Sequence, residues 1–216
     1  MSNHMTFSRR RVVSGLTALT AVAIAPSVNA ALLRTPSQNE GPYYPVKLPL
    51  DHDNDLVQVA GQTKQAAGEV VHLFGRVLDI NGKPVKGANV EIWQCDAQGR
   101  YHHPGEGRGP ADPKFQGFGK TMADKTGAWR FRTIKPVNYP GRVPHIHFRV
   151  SGKGFGRITT QMYLKDHPDN EDDFLFAGIQ SEAERQSVQV SFNPTKGIDG
   201  LAGKFDIVLG GNARAE

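Results

Sequence analysis

The chain of 216 residues is long enough for one well-buried core and short for two. Its 24 glycines and 14 prolines point to a turn-rich β protein, and 38% apolar with 22% charged residues excludes a largely disordered chain. The net charge of +5 owes much to Arg9, Arg10 and Arg11; without them 23 basic residues face 21 acidic ones, which leaves no basic stripe of the kind that binds nucleic acid.

Ser8-Arg9-Arg10-Arg11-Val12-Val13 opens an apolar run that continues to Ala25, and the small residues Val28-Asn29-Ala30 follow. Charged segment, apolar segment and small-residue cleavage site together read as a signal peptide over residues 1–30. The apolar run, about 14 residues, falls short of the roughly 20 needed to cross a bilayer. The arginines after a serine resemble a twin-arginine export signal; a general secretory signal is the alternative. Export to the periplasm is expected, without a stable membrane anchor, because no cysteine follows the run to carry a lipid.

Residues 31–70 carry Thr35-Pro36-Ser37-Gln38 and Gly41-Pro42-Tyr43-Tyr44-Pro45. This predicts an extended arm with little regular structure, docked on the core because two tyrosines are costly to leave in water. The alternative is a disordered leader. Across residues 71–216, short strand-like runs alternate with turns: Val71–Asp79 before Asn81-Gly82, Ala88–Gln94, Trp129–Ile134 after Thr126-Gly127, Pro144–Val150, Thr159–Leu164, Ser187–Phe192 and Phe205–Leu209. No segment sustains a helical period, although Asp172–Arg185 has room for a turn or two. The spacing predicts an all-β chain folded as a single β-sandwich.

The one cysteine, Cys95, excludes an intrachain disulfide and a C-x-x-C zinc site, so a bound metal needs His, Tyr or carboxylate ligands. In a strand over Pro144–Val150, alternation places His145, His147 and Arg149 on one face and Ile146, Phe148 and Val150 on the other. Two imidazoles on one side of a strand can grip a metal, although His-x-His also occurs on solvated faces. Tyr139 lies in Asn138-Tyr139-Pro140-Gly141-Arg142 just before that strand, and Tyr101 follows the Trp93 strand. Each alone is an ordinary loop aromatic. As a set, two phenolates and two imidazoles suit a hard, highly charged ion such as ferric iron. His102 and His103 read as loop groups, Cys95 as a small buried residue, Tyr163 and Trp129 as core aromatics, and the Asp166–Asp173 acidic cluster as a solvated loop.

The segment Leu73–Tyr101 is similar to the signature of intradiol ring-cleavage dioxygenases of the protocatechuate 3,4-dioxygenase type. The elements that match are Gly75, Val77, Asp79, Gly82, Pro84, Gly87-Ala88, Trp93-Gln94, Gly99 and Tyr101. Tyr139-Pro140-Gly141-Arg142 with Pro144-His145-Ile146-His147-Phe148 resembles the second metal segment of that family, and Thr35–Pro45 resembles its N-terminal arm. The resemblance implies a sandwich of two mixed sheets with residues 71–216 as the catalytic domain. It implies one ferric ion per chain held by Tyr101, Tyr139, His145 and His147, with a small aromatic diol and dioxygen as substrates. Arg142, three residues before His145, would stabilise negative charge on the ring, Gln161 would orient the diol, and Tyr139 would leave the metal and take a proton. The loop from Pro140 to Pro144 is shorter than in the protocatechuate enzymes, and the long N-terminal helical domain of the catechol enzymes is lacking. The ring substituents stay open, and a homo-oligomer is compatible with the sequence. Two rivals remain: an exported transthyretin-like binding module without catalysis, and a cupin-type metal barrel, for which no further carboxylate and histidine match is found.

Overall fold

The structure is a computed structural model that describes residues 31–210. The expected export signal, residues 1–30, lies outside the described residues, as do residues 211–216. Among the described residues, ten strands form two five-stranded mixed sheets. In the first, β1 (Val70–Asp79) pairs antiparallel with β4 (Ala128–Ile134) and parallel with both β9 (Leu201–Lys204) and β10 (Ile207–Leu209). The strand β8 (Asn193–Pro194) runs antiparallel to β9. In the second sheet the order is β3 (Phe118–Met122), β2 (Asn89–Trp93), β5 (His145–Gly152), β6 (Gly156–Leu164) and β7 (Gln189–Val190). Only β6 with β7 is parallel there. This is the all-β sandwich that the alternating runs predicted.

Strand alternation explains the core. Leu73 and Val77 of β1, Trp129 and Phe131 of β4, Ile92 of β2, and Ile146, Phe148 and Val150 of β5 interlock between the sheets. Each fully buried side chain of this kind stabilises the fold by about 1.5–3 kcal/mol. The outer face of β1 is wet, with Phe74 and Arg76 exposed, as an ordinary half-buried strand requires. The outer face of β5 is different, because His145 and His147 are buried too.

The cover over that face is the N-terminal arm. Residues 31–69 contain no helix or strand, only an isolated bridge from Asp55 to Arg132. The arm is tied down by backbone bonds, with Gln38 N donating to Thr159 O (2.8 Å) and Lys120 N donating to His52 O (2.9 Å). It buries Leu56 and Val57 completely. Gly119 on β3 permits the crossing, since a Cβ there would sit 2.5 Å from Leu56 Cδ1 and 2.7 Å from Asp53 O.

Some elements differ from the sequence expectation. The strands β3 and β9 were not expected, because Phe118-Gly119-Lys120 and Leu201-Ala202-Gly203 carry glycine where a strand signal needs a branched residue. The expected strand Ser187–Phe192 shrinks to β7, because a helix takes its first residue. Asp172–Arg185 supplies two short helices, α1 (Phe174–Ala177) and α2 (Glu182–Ser187). Ser181 and Glu184 form a reciprocal capping box that starts α2.

Candidate active site

The register of the second sheet sets the site's first wall. On β5, His147 stands opposite Trp93 of β2 and Gln161 of β6, and His145 stands opposite Tyr163. The His147 ring stacks on Trp93 at 4.8 Å between centroids and 7° between planes, which fixes its orientation. Nδ1 of His145 lies 2.6 Å from the Val143 carbonyl oxygen. A carbonyl only accepts, so Nδ1 carries the proton and Nε2 presents a lone pair. That Nε2 faces Nε2 of His147 at 3.1 Å.

Two turns bring the tyrosines to the same place. The turn after β2 is held by Asp96, fully buried, whose carboxylate accepts from Gln98 N (2.8 Å), Arg100 N (2.9 Å) and Asp112 N (2.7 Å). Gly99 in that turn has a φ of +76° and packs against the loop that carries Tyr139; a Cβ there would meet Asn138 O at 2.8 Å and Tyr139 Cβ at 3.3 Å. The invading turn therefore needs glycine for two reasons, conformation and space. The second turn is a tight one, with Arg142 N donating to Tyr139 O (2.9 Å) and Gly141 at a φ of +80°.

The four rings close a circuit. Centroid separations are 5.5 Å for Tyr101–Tyr139, 5.5 Å for Tyr139–His145, 4.7 Å for His145–His147 and 6.2 Å for His147–Tyr101. The Tyr101 hydroxyl and His147 Nδ1 are both buried without a hydrogen-bond partner, which costs about 1–3 kcal/mol each. Among the described residues no group of three or more His, Cys, Asp or Glu side chains can hold a metal ion, so a cation at this place must draw on the phenols.

Electrostatics follows from dryness. Burial, helped by the Arg142 charge, pushes the His145 imidazole down to about 3, and burial with the neighbouring His145 holds His147 well below its usual value. Both are neutral at physiological pH, the form that ligates metals. Burial, with Cys95 and Tyr139 adding to it, pushes the Tyr101 phenol well above its ordinary range; burial also raises Tyr139, with Arg142 opposing. Neither tyrosine ionises at neutral pH without a strong local positive charge.

Arg142 and Gln161 meet beside Tyr139. Nη2 of Arg142 donates to Gln161 Oε1 (2.6 Å), and Nη1 lies 3.4 Å from the Tyr139 hydroxyl. Gln161 is itself held by the arm, its Nε2 donating to Asn39 O (3.1 Å) and its backbone N to Gln38 Oε1 (3.0 Å). The acidic cluster needs correcting here. Asp173 is not part of a solvated loop; it is buried and paired with Arg142. The sequence did offer one signal, an aspartate directly before the apolar run Phe174-Leu175-Phe176, which is a helix-capping position.

The residues set aside fall in other roles. His102 contacts the Asp112 carbonyl and His103 accepts from Gly105 N, both outside the ring circuit. Cys95 is buried, and burial beside Asp96 raises its thiol to about 12, so it is unreactive. Trp129 is in the core, and Tyr163 packs on His145 while donating to Gln161 Oε1 (3.2 Å). Tyr43, which sequence alone did not single out as a site residue, stacks on Tyr101 at 4.5 Å. A cavity of about 640 Å³ lies behind that pair, lined by Trp93, Phe115 and Phe118 but by none of Tyr139, Arg142 or Gln161.

Fold and sequence comparisons agree on the class. The chain superposes with a TM-score of 0.63 and 28% identity on the dioxygenase domain of a dioxygenase and carbohydrate-binding fusion from Streptomyces sp. SirexAA-E, covering 83% of this chain and 99% of that one. An intradiol ring-cleavage dioxygenase from Tetranychus urticae shares the fold, with a TM-score of 0.67, 23% identity and coverage of 85% and 97%. A family model described as dioxygenase matches residues 39–211, and the chain belongs to the intradiol ring-cleavage dioxygenases. It is therefore an enzyme of that class, and the binding-module alternative is not favoured. Among curated relatives, the beta chain of protocatechuate 3,4-dioxygenase from Burkholderia cepacia is 42% identical over 173 residues, 76% of this chain and 73% of the relative. A catechol 1,2-dioxygenase from Pseudomonas sp. (strain EST1001) is 30% identical over 212 residues; the alignment takes in 84% of this chain but 65% of that enzyme's length.

Proposed function

We propose that the protein inserts both atoms of dioxygen into a catechol-type diol, cleaving the ring between the hydroxyls to a muconate-type diacid. The reading includes one ferric ion held by Tyr101, Tyr139, His145 and His147. One observation carries it: four donor rings from three segments, the turns bearing Tyr101 and Tyr139 and the strand β5, close one circuit, with the Nε2 atoms of the two imidazoles 3.1 Å apart within it. The donor set fits. Two neutral imidazoles and two phenols, one hydroxyl of them without a partner, are what a hard trivalent cation satisfies. When bound, such an ion supplies a Lewis acid that ionises the phenols and a template for the two diol oxygens.

The chain's own groups do the rest. Tyr139 is the half-buried member of the pair, so it is the phenol that can yield its place, and as phenolate it accepts a hydroxyl proton from the diol. Arg142 presents Nη1 where that phenol stands, and there it stabilises negative charge on the diol ring as it develops. Gln161 holds Arg142 from the strand side. The arm over β5 keeps bulk water from the imidazoles, since Gly41 passes so close that a Cβ on it would lie 3.6 Å from His147 Cε1. The reading extends to export from residue 31 onward by a twin-arginine signal, which sequencing the N-terminus of the periplasmic protein checks.

The deciding experiment is optical. Purified protein is expected to show a red tyrosinate-to-ferric absorption band that shifts on anaerobic titration with a diol panel, followed by oxygen uptake on aeration. Tyr139→Phe is expected to retain iron but to exchange diol more slowly. Colourless protein that takes up no oxygen with any diol would sink the reading, and unaltered turnover in Tyr139→Phe would remove that residue from it.

A further inference from the structure

We propose that Asp173 is a positioning residue for the arginine of this site: it clamps the Arg142 guanidinium so that a single nitrogen, Nη1, is left for the diol. The inference rests on the function proposed above and assigns a residue that neither the ring circuit nor the acidic sequence cluster pointed to.

A guanidinium has five N–H groups in a fixed plane. In Arg142, Nε donates to Asp173 Oδ2 at 2.7 Å, and Nη2 donates to Asp173 Oδ1 at 3.3 Å and to Gln161 Oε1 at 2.6 Å. Those three bonds fix the plane from two sides. The Nη1 pair is left over, and it faces the Tyr139 hydroxyl. An arginine tethered by the stem alone would sample many rotamers; one held by a carboxylate along its Nε edge is oriented before any diol arrives.

The carboxylate is built for this task. Its side chain is 0% exposed and that of Arg142 is 8% exposed, so the pair is dry. Asp173 cannot swing away, because Oδ1 also accepts from Leu175 N (3.0 Å) and Phe176 N (3.1 Å) and Oδ2 from Val143 N (3.2 Å). The first two bonds cap α1, and the third reaches the backbone just before the histidine strand. Asp173 thus links α1, Arg142 and the entry to β5 through one carboxylate. Burial alone would push its acid strength down, yet the bonds to Arg142 and to these amides hold the carboxyl below its usual range. The pair stays ionised, as a clamp requires.

Asp173→Asn separates positioning from mere structure. Asparagine keeps an oxygen to cap α1, but loses the charge and turns an amide donor toward Nε. The expected result is a kcat lower by about 10- to 100-fold with KM and iron content little changed, the pattern of a lost transition-state contact. In an Arg142→Ala background the same substitution is expected to lower kcat no further. Multiplying effects, or a normal kcat in the single variant, would overturn the proposal. A readout that needs neither metal nor turnover is the Arg142 Nε–H proton resonance of the metal-free wild-type protein. Slow exchange with solvent is expected, and exchange as fast as that of surface arginines would overturn the clamp even if Asp173→Asn failed to fold. If the wild-type protein cleaved no diol, the function would fall while the exchange measurement still decided the clamp.

Discussion

Two arginines flank the histidines of β5, and they are used in opposite ways. Arg142 precedes the strand, and Arg149 lies on it, on the same face as His145 and His147. Both are nearly buried, with side chains 8% and 15% exposed. Arg142 meets one carboxylate and one amide, and keeps Nη1 for the site. Arg149 meets two carboxylates, Glu40 of the arm and Glu91 of β2 (3.8 Å), and its guanidinium lies 3.5 Å over the Tyr44 ring. Its Nε is buried without a partner, and among the described residues Arg149 makes no hydrogen bond to any of the four rings. Burial and charge do not separate the two arginines; what separates them is that a donor of Arg142 reaches the Tyr139 hydroxyl and none of Arg149 bonds to the rings.

Substitutions can break the contrast from either side. The largest effect is expected from Arg142→Ala combined with Asp173→Asn, which removes both members of the clamp and strands no buried charge. Turnover per iron should fall about 10²- to 10³-fold, equivalent to roughly 3–4 kcal/mol of transition-state stabilisation, while the melting temperature changes little. Steady-state kinetics with parallel calorimetry measures both. Arg149→Ala should do the reverse. It leaves Glu91, a buried carboxylate, without its arginine and removes the cation–π contact that pins the arm. A loss of about 2–3 kcal/mol in denaturant unfolding is expected, with turnover of the folded, iron-loaded fraction within about threefold of wild type. A large kcat loss in Arg149→Ala without a stability loss would erase the distinction.

The same pair marks how far sequence carries. Period-two alternation placed His145, His147 and Arg149 on one face and Ile146, Phe148 and Val150 in the core, and the structure has both. It could not tell that the outer face is dry, because dryness comes from an arm more than a hundred residues earlier, with Glu40 of that arm on Arg149. Asp173 reads from sequence as part of a solvated loop; its pairing with Arg142 depends on where α1 packs, which no local pattern encodes. β3 escaped notice for a related reason. Gly119 weakens the strand signal, yet glycine is required there because the arm crosses against it. Sequence patterns therefore showed each segment's own faces, and the missing parts were contacts between segments.

The smallest expected effect sharpens the structural side of the contrast. The Tyr44 hydroxyl donates to Glu91 Oε2 at 3.1 Å, while its ring carries Arg149 and packs edge-on against Trp93. Tyr44→Phe keeps the ring and deletes one bond to a carboxylate that retains Asn89 Nδ2 at 2.9 Å. A loss of about 1 kcal/mol at neutral pH is expected, with kcat unchanged. The sign of the pH dependence follows from the phenol. Burial, with Glu91 adding to it, raises Tyr44 from its ordinary 10.0 to about 12 in the folded protein. A group raised on folding stabilises fully below its unfolded value and loses that contribution as pH climbs through the folded one. The stability gap between wild type and Tyr44→Phe should therefore hold to about pH 10 and close towards pH 12, as the wild type loses a bond that the variant never had. Urea unfolding of both proteins across that range measures it. A gap that widened with alkali would mean that Tyr44 ionises more readily folded than unfolded, and that Arg149 rather than Glu91 governs the hydroxyl.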